Sequence, residues 1–589
     1  MLRLLRRADV ALRHHVTLAD LADRWVDLHG DRLMVTEEGP AAPAAARGAA
    51  RGAARGAARG RVPGTVRELT YGAAADRVAR WSAAIAARSA PSEPVVIATP
   101  NGIDQFLLCL AASRAGRVPA PVNPQMRPVE VDHVIADSGA SLVIRDAAEL
   151  SKGPGSRSDP PPPAEPDPDD IAALFYTSGT TGTPKGAELT HRALLGGLAP
   201  MAALPTWLRN DELVLSLPVA HIMGFISVLG PTLAGVPMYF LRQFQSGRVL
   251  DVIERRRSSA FMGVPATYRL LEQAGAAYRD LTCVRVWMTG ADVMPAALAR
   301  KFKSYGASAT LPLIGAVGEA AFFEGYGMVE TGGGVVAKVS PPLLPVGLGD
   351  SLGMTLPGWR VRVVDHDDQP VASGSVGELQ IQGPGVLKGY HGDAAASATA
   401  MTEDGWLRTG DLVRTGPFGL MSFQGRSKNV IKSGGYSVYA VEVEADMEEH
   451  PDVIEAGVVG LDDPKLGQVP VAAVRLRDGA TVTPDELLAW SRGRMARYKA
   501  PRQIVVVGDL PRTGTRKVRR DHIVPLFDDP AAGDLPVSVW TGNDRRLGDR
   551  RSGAGRGRSV DRRTRADRRD RGSGGDSDRG SGRGSDRGR

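Results

Sequence analysis

The stretch Phe175-Tyr-Thr-Ser-Gly-Thr-Thr-Gly-Thr-Pro-Lys-Gly186 constrains this chain more than any other. The apolar run Ile171 to Tyr176 reads as a short buried strand, and the hydroxyl- and glycine-rich turn after it leads toward a helix over Thr190-His-Arg-Ala-Leu-Leu195. Such a turn suits a phosphate. Gly179 and Gly182 let the backbone approach an anion closely, Ser178, Thr180 and Thr181 offer hydroxyl donors, and Lys185 supplies a compact positive charge. Pro184 stiffens the exit of the turn. The pattern is not the Walker loop, because Lys185 follows Gly182 by three residues and precedes Gly186 instead of Ser or Thr.

At 589 residues the chain is too long for one hydrophobic core, so two or more domains are expected. Its net charge of +7 belongs to the tail: Thr541 to Arg589 holds 16 Arg against 8 Asp, with no Lys or Glu. The body is therefore near neutral and offers no basic excess suited to nucleic acid. The 2 cysteines, Cys109 and Cys283, lie in apolar sequence, which fits buried thiols in a reducing cytoplasm better than a disulfide framework. No apolar run reaches the roughly 18 residues that span a bilayer. Val228 to Phe240 is broken by Gly230, Pro231, Gly235 and Pro237, and Met1-Leu-Arg-Leu-Leu-Arg-Arg7 lacks the apolar core of a leader peptide. A cytoplasmic protein without a transmembrane segment is expected.

Helical periodicity runs from about Thr17 to Leu33, through Leu18, Leu21, Trp25 and Leu28. Residues 41–61 are an Ala-Ala-Arg-Gly type repeat, expected as a mobile insertion in a surface loop. From Leu69 onward strand and helix patterns alternate, which argues for an open α/β sheet. Ser151 to Asp170 reads as an exposed linker. Phe261-Met-Gly-Val-Pro-Ala266 and Val286-Trp-Met-Thr-Gly-Ala291 read as strands ending in small residues, where binding crevices form. Gly377-Glu-Leu379, Gly383-Pro384 and Gly389-Tyr390 read as one hairpin region. Val443 to about Leu526 alternates again, as in a small α+β lid, and the Gly, Arg, Ser and Asp that follow cannot bury enough surface to fold.

The Phe175–Gly186 stretch is followed in order by Leu217-Pro-Val-Ala-His-Ile-Met-Gly-Phe225, Glu324-Gly-Tyr-Gly-Met-Val-Glu-Thr331 and Gly405-Trp-Leu-Arg-Thr-Gly-Asp-Leu412. Gly425-Arg-Ser-Lys-Asn-Val-Ile-Lys-Ser-Gly-Gly-Tyr436 and Leu510-Pro-Arg-Thr-Gly-Thr-Arg-Lys517 complete the series. Together they resemble the motifs of the adenylate-forming superfamily: acyl-CoA synthetases, aryl-CoA ligases, luciferases and the adenylation domains of peptide synthetases. The departures are Val329 where that family commonly has Thr, Asn429 for an acidic residue, Ala440 for Pro and Arg516 for Gly.

The resemblance implies an α/β fold: a large N-terminal domain of mixed sheets with flanking helices over 1–425, a small mobile α+β lid over 426–528, and a tail over 529–589. It implies ATP, Mg²⁺ and coenzyme A. By the same resemblance Thr177, Ser178, Gly179, Thr180, Thr181, Gly182 and Lys185 cradle phosphates, and His221 lines the carboxylate pocket. Tyr326 stacks on adenine, Thr331 donates to phosphate, Glu330 holds Mg²⁺, Asp411 takes the ribose hydroxyls and Arg426 contacts the nucleotide. Lys428 is the hinge, Gly434 and Gly435 enter the site in the second half-reaction, and Lys517 is catalytic beside Lys185, Glu330 and His221.

The implied reaction joins a carboxylate to AMP, releases pyrophosphate, and passes the acyl group to coenzyme A. Gly224, Gly290, Ala291 and Gly325 leave room beside apolar Ile222, Met223 and Phe323, so a fatty acid of medium or long chain is expected. An aryl acid, a carrier protein as acceptor, an amino acid, and a non-catalytic nucleotide-binding homologue stay open, as does a homodimer.

Overall fold

In the computed structural model the described residues are 2–13, 16–39, 65–152, 154–155, 159–177, 184–203, 211–342, 351–512 and 517–527. The repeat over 41–61, the loop residues Ser178 to Gly182, Arg516 and the tail lie outside them.

A nine-stranded sheet forms the backbone of the molecule. Its central strands, among them Leu213–Leu215, Ala260–Gly263, Val286–Gly290 and Ala321–Met328, run parallel. Strands covered by helices on both faces read as apolar runs, as Leu213–Leu215 and Ala260–Gly263 do, whereas Ala321–Met328 carries Glu324 and is mostly half-buried. On one face Tyr268, Trp287, Phe302 and Phe322 form an aromatic core, with ring centroids of Tyr268 and Phe302 4.9 Å apart. On the other lies the helix Ile222–Ala234, almost wholly buried. Its Phe225 packs edge-on against Phe175 at 5.3 Å and against Phe106 at 5.1 Å, fastening the signature strand to the core.

A second, three-stranded parallel sheet centres on Pro94–Ile97, with Val118–Pro121 and Leu142–Ile144 beside it. A four-stranded antiparallel sheet follows, Arg360–Val364, Val376–Gln382, Leu407–Thr415 and Met421–Arg426. The five-stranded sheet of Val430–Ser433, Tyr436–Tyr439, Val453–Asp463, Gly467–Leu476 and Ile504–Val507 carries its own core, which includes Val438, Val458, Val474 and Leu487. The mixed α/β architecture expected from the sequence is thus present, with both a large and a small body. No helix of the described residues is long and apolar enough to cross a membrane.

Three local readings change. The signature turn does not lead directly to a helix: Lys185–Thr190 is a strand, antiparallel to Ile171–Thr177, and the short helix His191–Leu195 comes after it. Gly389–Tyr390 is not part of a hairpin with Val376–Gln382, since it pairs with Lys185–Thr190 in another sheet. Helix Leu21–His29 stops well short of Leu33, because Gly30 takes φ 70° and the chain turns into the strand Leu33–Glu38. A helix also spans Leu2–Arg13, held by the buried Arg7, whose guanidinium donates to the carbonyls of Ala202 at 2.6 Å and Ala234 at 3.0 Å.

Gly327 shows how tightly the strand Ala321–Met328 is folded against its neighbour. A Cβ there would lie 1.9 Å from the carbonyl oxygen of Gly333. The substitution Gly327→Ala is expected to destabilise the protein by about 1–3 kcal/mol, the usual cost of overpacking. Thermal unfolding checks this; a melting temperature unchanged from wild type would contradict the close approach.

Candidate active site

Parallel strands present their carboxyl ends to a common crevice. Gly290 and Gly325 lie opposite each other there, in register, and place Tyr326 one residue further along. The antiparallel sheet brings its own edge to the same place: Asp411 stands opposite Arg426 in register. The Tyr326 hydroxyl donates to Asp411 Oδ2 at 2.7 Å, and Arg426 Nε approaches Asp411 Oδ1 at 2.9 Å. That second contact is an ion pair without hydrogen-bond alignment. Oδ1 is buried and has no hydrogen-bond partner among the described residues, so a hydroxyl donor would complete it.

Glu330 sits in the 3₁₀ turn Val329–Thr331 that ends the Tyr326 strand. It is 9% exposed and accepts a hydrogen bond from the Tyr390 hydroxyl at 2.9 Å on Oε1. Tyr390 in turn lies in the strand paired with Lys185–Thr190. Lys185 Nζ is 5.5 Å from the centre of the Tyr390 ring and 3.2 Å from Asp393 Oδ2. Lys185, Tyr390 and Glu330 thus form a contiguous chain. Thr177, the last residue of its strand, is in register with Lys185 across the signature loop. The Thr331 hydroxyl is occupied within its own turn, donating to the carbonyl oxygen of Gly333 at 2.7 Å and accepting from the Met328 N–H at 3.0 Å.

His221 caps the helix Ile222–Ala234, its Nδ1 accepting from the N–H of Met223 at 3.3 Å. Burial, and next the positive charge of Lys517, push its imidazole down to about 4, so it is neutral near pH 7. Burial also lowers Lys517 from the usual lysine range; Asp292, Asp411 and Glu330 oppose that effect and Arg426 adds to it. The ammonium of Lys517 therefore stands within electrostatic reach of His221, Glu330, Asp411 and Arg426 at once. Residues separated by up to almost 300 positions thus bear on the charge of one ammonium.

Lys428 lies in the turn Ser427–Asn429, which joins the last strand of the antiparallel sheet to the first strand of the small body. Gly434 and Gly435, at φ 57° and 83°, make the tight turn between Val430–Ser433 and Tyr436–Tyr439. The hydrogen bond of this turn stays within the small body, from the Gly434 N–H to the carbonyl of Leu466 at 2.8 Å.

Two of the glycines expected to make room for substrate have another reason, whereas at Gly325 a Cβ would come no closer than 3.4 Å to the Phe323 ring. A Cβ on Gly224 would meet the Pro218 carbonyl oxygen at 2.0 Å, and one on Gly290 the Gly325 carbonyl oxygen at 2.9 Å. They permit backbone to approach backbone. Sequence reasoning also missed Asp292, which follows Ala291 at φ 70° and is the largest influence keeping Lys517 charged. Tyr390 was missed as well. A non-glycine residue with positive φ leaves no mark in the sequence, and Tyr390 gains its role only by pairing with a strand about two hundred residues earlier.

Residues 45–391 match the AMP-binding enzyme family and residues 442–517 the AMP-binding enzyme C-terminal domain, and the chain belongs to this family of adenylate-forming enzymes. It is 32% identical over 482 residues to a feruloyl-CoA synthase of Amycolatopsis, covering 78% of this chain and 94% of that one. An indoleacetate–CoA ligase of Aromatoleum aromaticum is 30% identical over 78% of this chain and 93% of its own. The crystal structure of ATP-bound MatB from Rhodopseudomonas palustris superposes with a TM-score of 0.72 at 25% identity, covering 87% of this chain and 100% of that one. The chain is accordingly an acid–CoA ligase of the AMP-forming type, acting on a carboxylic acid.

Proposed function

We propose that the chain activates an apolar monocarboxylic acid, a fatty acid of medium or long chain, through an acyl-adenylate, and transfers the acyl group to coenzyme A. One observation carries the choice of acid. The crevice that His221 lines is also lined by Met201, Met223, Ile226, Met262, Met288 and Phe323. Thioether side chains are unbranched and polarizable, and they adapt to a flexible apolar chain. Lys338, a buried cation near this wall, is paired with Glu324 at 2.9 Å and so does not recommend a second carboxylate on the substrate. The names of the feruloyl- and indoleacetate-activating relatives favour an aryl acid as the second reading.

In the first step a carboxylate oxygen attacks the α-phosphorus of ATP and pyrophosphate leaves. Negative charge grows on the phosphate oxygens, and Lys517 and Lys185 stand where fixed positive charge lowers that barrier. Tyr326, Asp411 and Arg426 hold the nucleoside: Asp411 Oδ1 takes a ribose hydroxyl, and Tyr326 offers its ring to the base. Tyr390 uses one Glu330 oxygen, so the other can face Mg²⁺, a hard cation that suits a carboxylate beside phosphates and would neutralise their charge. Neutral His221 lines the carboxylate end without adding charge. In the second step the thiol of coenzyme A attacks the acyl carbon, and AMP leaves. The body over 426–528 turns about Lys428 between the two steps, bringing Gly434 and Gly435 to the site, while 1–425 stays fixed.

AMP release measured with decanoate, ferulate, indoleacetate, malonate and phenylalanine, with and without coenzyme A, tests this reading. Highest kcat/KM on decanoate with a thioester product is expected. Preference for ferulate would move the assignment to aryl acids, and turnover of malonate above both would overturn the apolar pocket.

A further inference from the structure

The helix Pro265–Gln273 belongs to the large body, begins with Pro265 at its first turn, and packs against the aromatic core through Tyr268 and Leu271. Its Arg269 points the other way. The guanidinium is 17% exposed and donates with both arms to carboxylates of the small body: Nη1 to Glu455 Oε1 at 2.7 Å, and Nη2 to Glu448 Oε2 at 2.8 Å. Glu448 is the last residue of the helix Ala440–Glu448, and Glu455 lies in the strand Val453–Asp463. From the same large-body helix Gln273 accepts a bond from Arg475 at 3.3 Å.

The cluster continues toward the reacting centre. Glu455 is also bound by Arg512, at 3.3 Å to Oε1 and by a shorter contact to Oε2. The backbone of Arg512 bridges Val518, and the N–H of Arg519 donates to the carbonyl of Pro511 at 2.7 Å. Lys517 stands at the mouth of this small ladder. Arg269 is thus two side chains away from the segment that carries Lys517. Burial pushes the Glu448 carboxyl up to about 7, with Arg269 the largest influence pulling it down. Without that guanidinium Glu448 has no side-chain partner among the described residues and Glu455 keeps only Arg512, and a buried charge that loses its partner is strongly disfavoured.

Resting on the reading of function given above, we propose that Arg269 is a positioning residue for the adenylation half-reaction: by clamping Glu448 and Glu455 it holds the small body where Lys517 meets Asp411 and Glu330. The same clamp opens for thioester formation, so that step does not depend on it. Arg269 touches no reacting atom, and its effect is on the occupancy of one lid orientation.

The test uses the full chain and separates the half-reactions. Adenylation is read as decanoate-dependent exchange of pyrophosphate into ATP, and thioesterification as decanoyl-CoA formed from synthetic decanoyl-adenylate. Arg269→Gln is expected to slow exchange by about 100-fold, the shift in lid occupancy that loss of one partner in a buried pair implies. Thioester formation should stay within about threefold, as for an ordinary surface change. Arg269→Lys keeps the charge but not the two-armed fork, and should recover part of the exchange rate. Glu448→Gln, made from the other side of the clamp, should show the same split and serves if Arg269→Gln does not fold. Tryptic cleavage between Arg426 and Lys432 should quicken in both variants. Equal losses in the two half-reactions, or unchanged exchange, would overturn the proposal. A wild type silent in exchange with decanoate, ferulate and indoleacetate would instead defeat the functional reading, and the rate of hinge cleavage would still decide the clamp.

Discussion

Replacing Lys517 by alanine is expected to lower carboxylate-dependent pyrophosphate exchange by about 10²–10³-fold, the usual loss when one preorganised charge at a developing oxyanion is removed. Thioester formation from a preformed adenylate should change far less, because on this account the small body has turned by then and carried Lys517 away from the phosphate. The basis is position. Lys517 is close enough to Glu330, Asp411 and Arg426 for each to affect its protonation, and it alone of that group comes from the last segment of the small body. Its environment also sets a pH dependence. A lysine whose folded-state pKa is lowered gives up its proton, and with it its charge, before the ordinary value of about 10.4 is reached. Exchange should therefore fall on the alkaline side earlier than a solvated lysine would allow, and Lys517→Arg should push that fall to higher pH even if its rate is lower. A Lys517→Ala enzyme with wild-type exchange would remove Lys517 from the chemistry.

Asp411→Ala should raise the KM for ATP by about 10- to 100-fold, since it takes a buried acceptor from the Tyr326 hydroxyl and from the ligand and a counter-charge from Arg426. Tyr326 would lose its 2.7 Å bond and Arg426 its counter-charge, so the nucleoside seat loosens on two sides. Tyr326→Phe removes only the hydroxyl and should cost a smaller factor, about fivefold, in the same constant. Titration of a fluorescent ATP analogue separates binding from turnover. Unchanged nucleotide affinity in Asp411→Ala would contradict the assignment.

Much of this site could be read from residue order because its parts are short and local. Gly405 to Leu412 forms a strand entry that delivers Asp411, and Glu324 to Thr331 ends a strand in a turn that delivers Tyr326 and Glu330. What stayed hidden depends on pairing over long distances. Lys185–Thr190 carries Gly186, Glu188 and Thr190 and lacks a strand-like run; it is a strand because Ile171–Thr177 on one side and Gly389–Tyr390 on the other complete its hydrogen bonds. Tertiary context overrides propensity there. Arg269 and Glu448 are 179 residues apart and each, taken singly, looks like a solvated helix charge. The spacious look of Gly224 and Gly290 misled for the opposite reason: their missing side chains are filled by neighbouring backbone, which only coordinates reveal.

The most direct measurement follows oxygen atoms. With decanoate labelled with ¹⁸O in both carboxylate positions, ATP and coenzyme A are turned over, and the AMP and phosphates are analysed by mass spectrometry. Attack of the carboxylate on the α-phosphorus leaves one ¹⁸O in each AMP and none in pyrophosphate, which is the result expected. Label in inorganic phosphate with unlabelled nucleotide would mean activation at another phosphorus, and would contradict adenylate formation at this site.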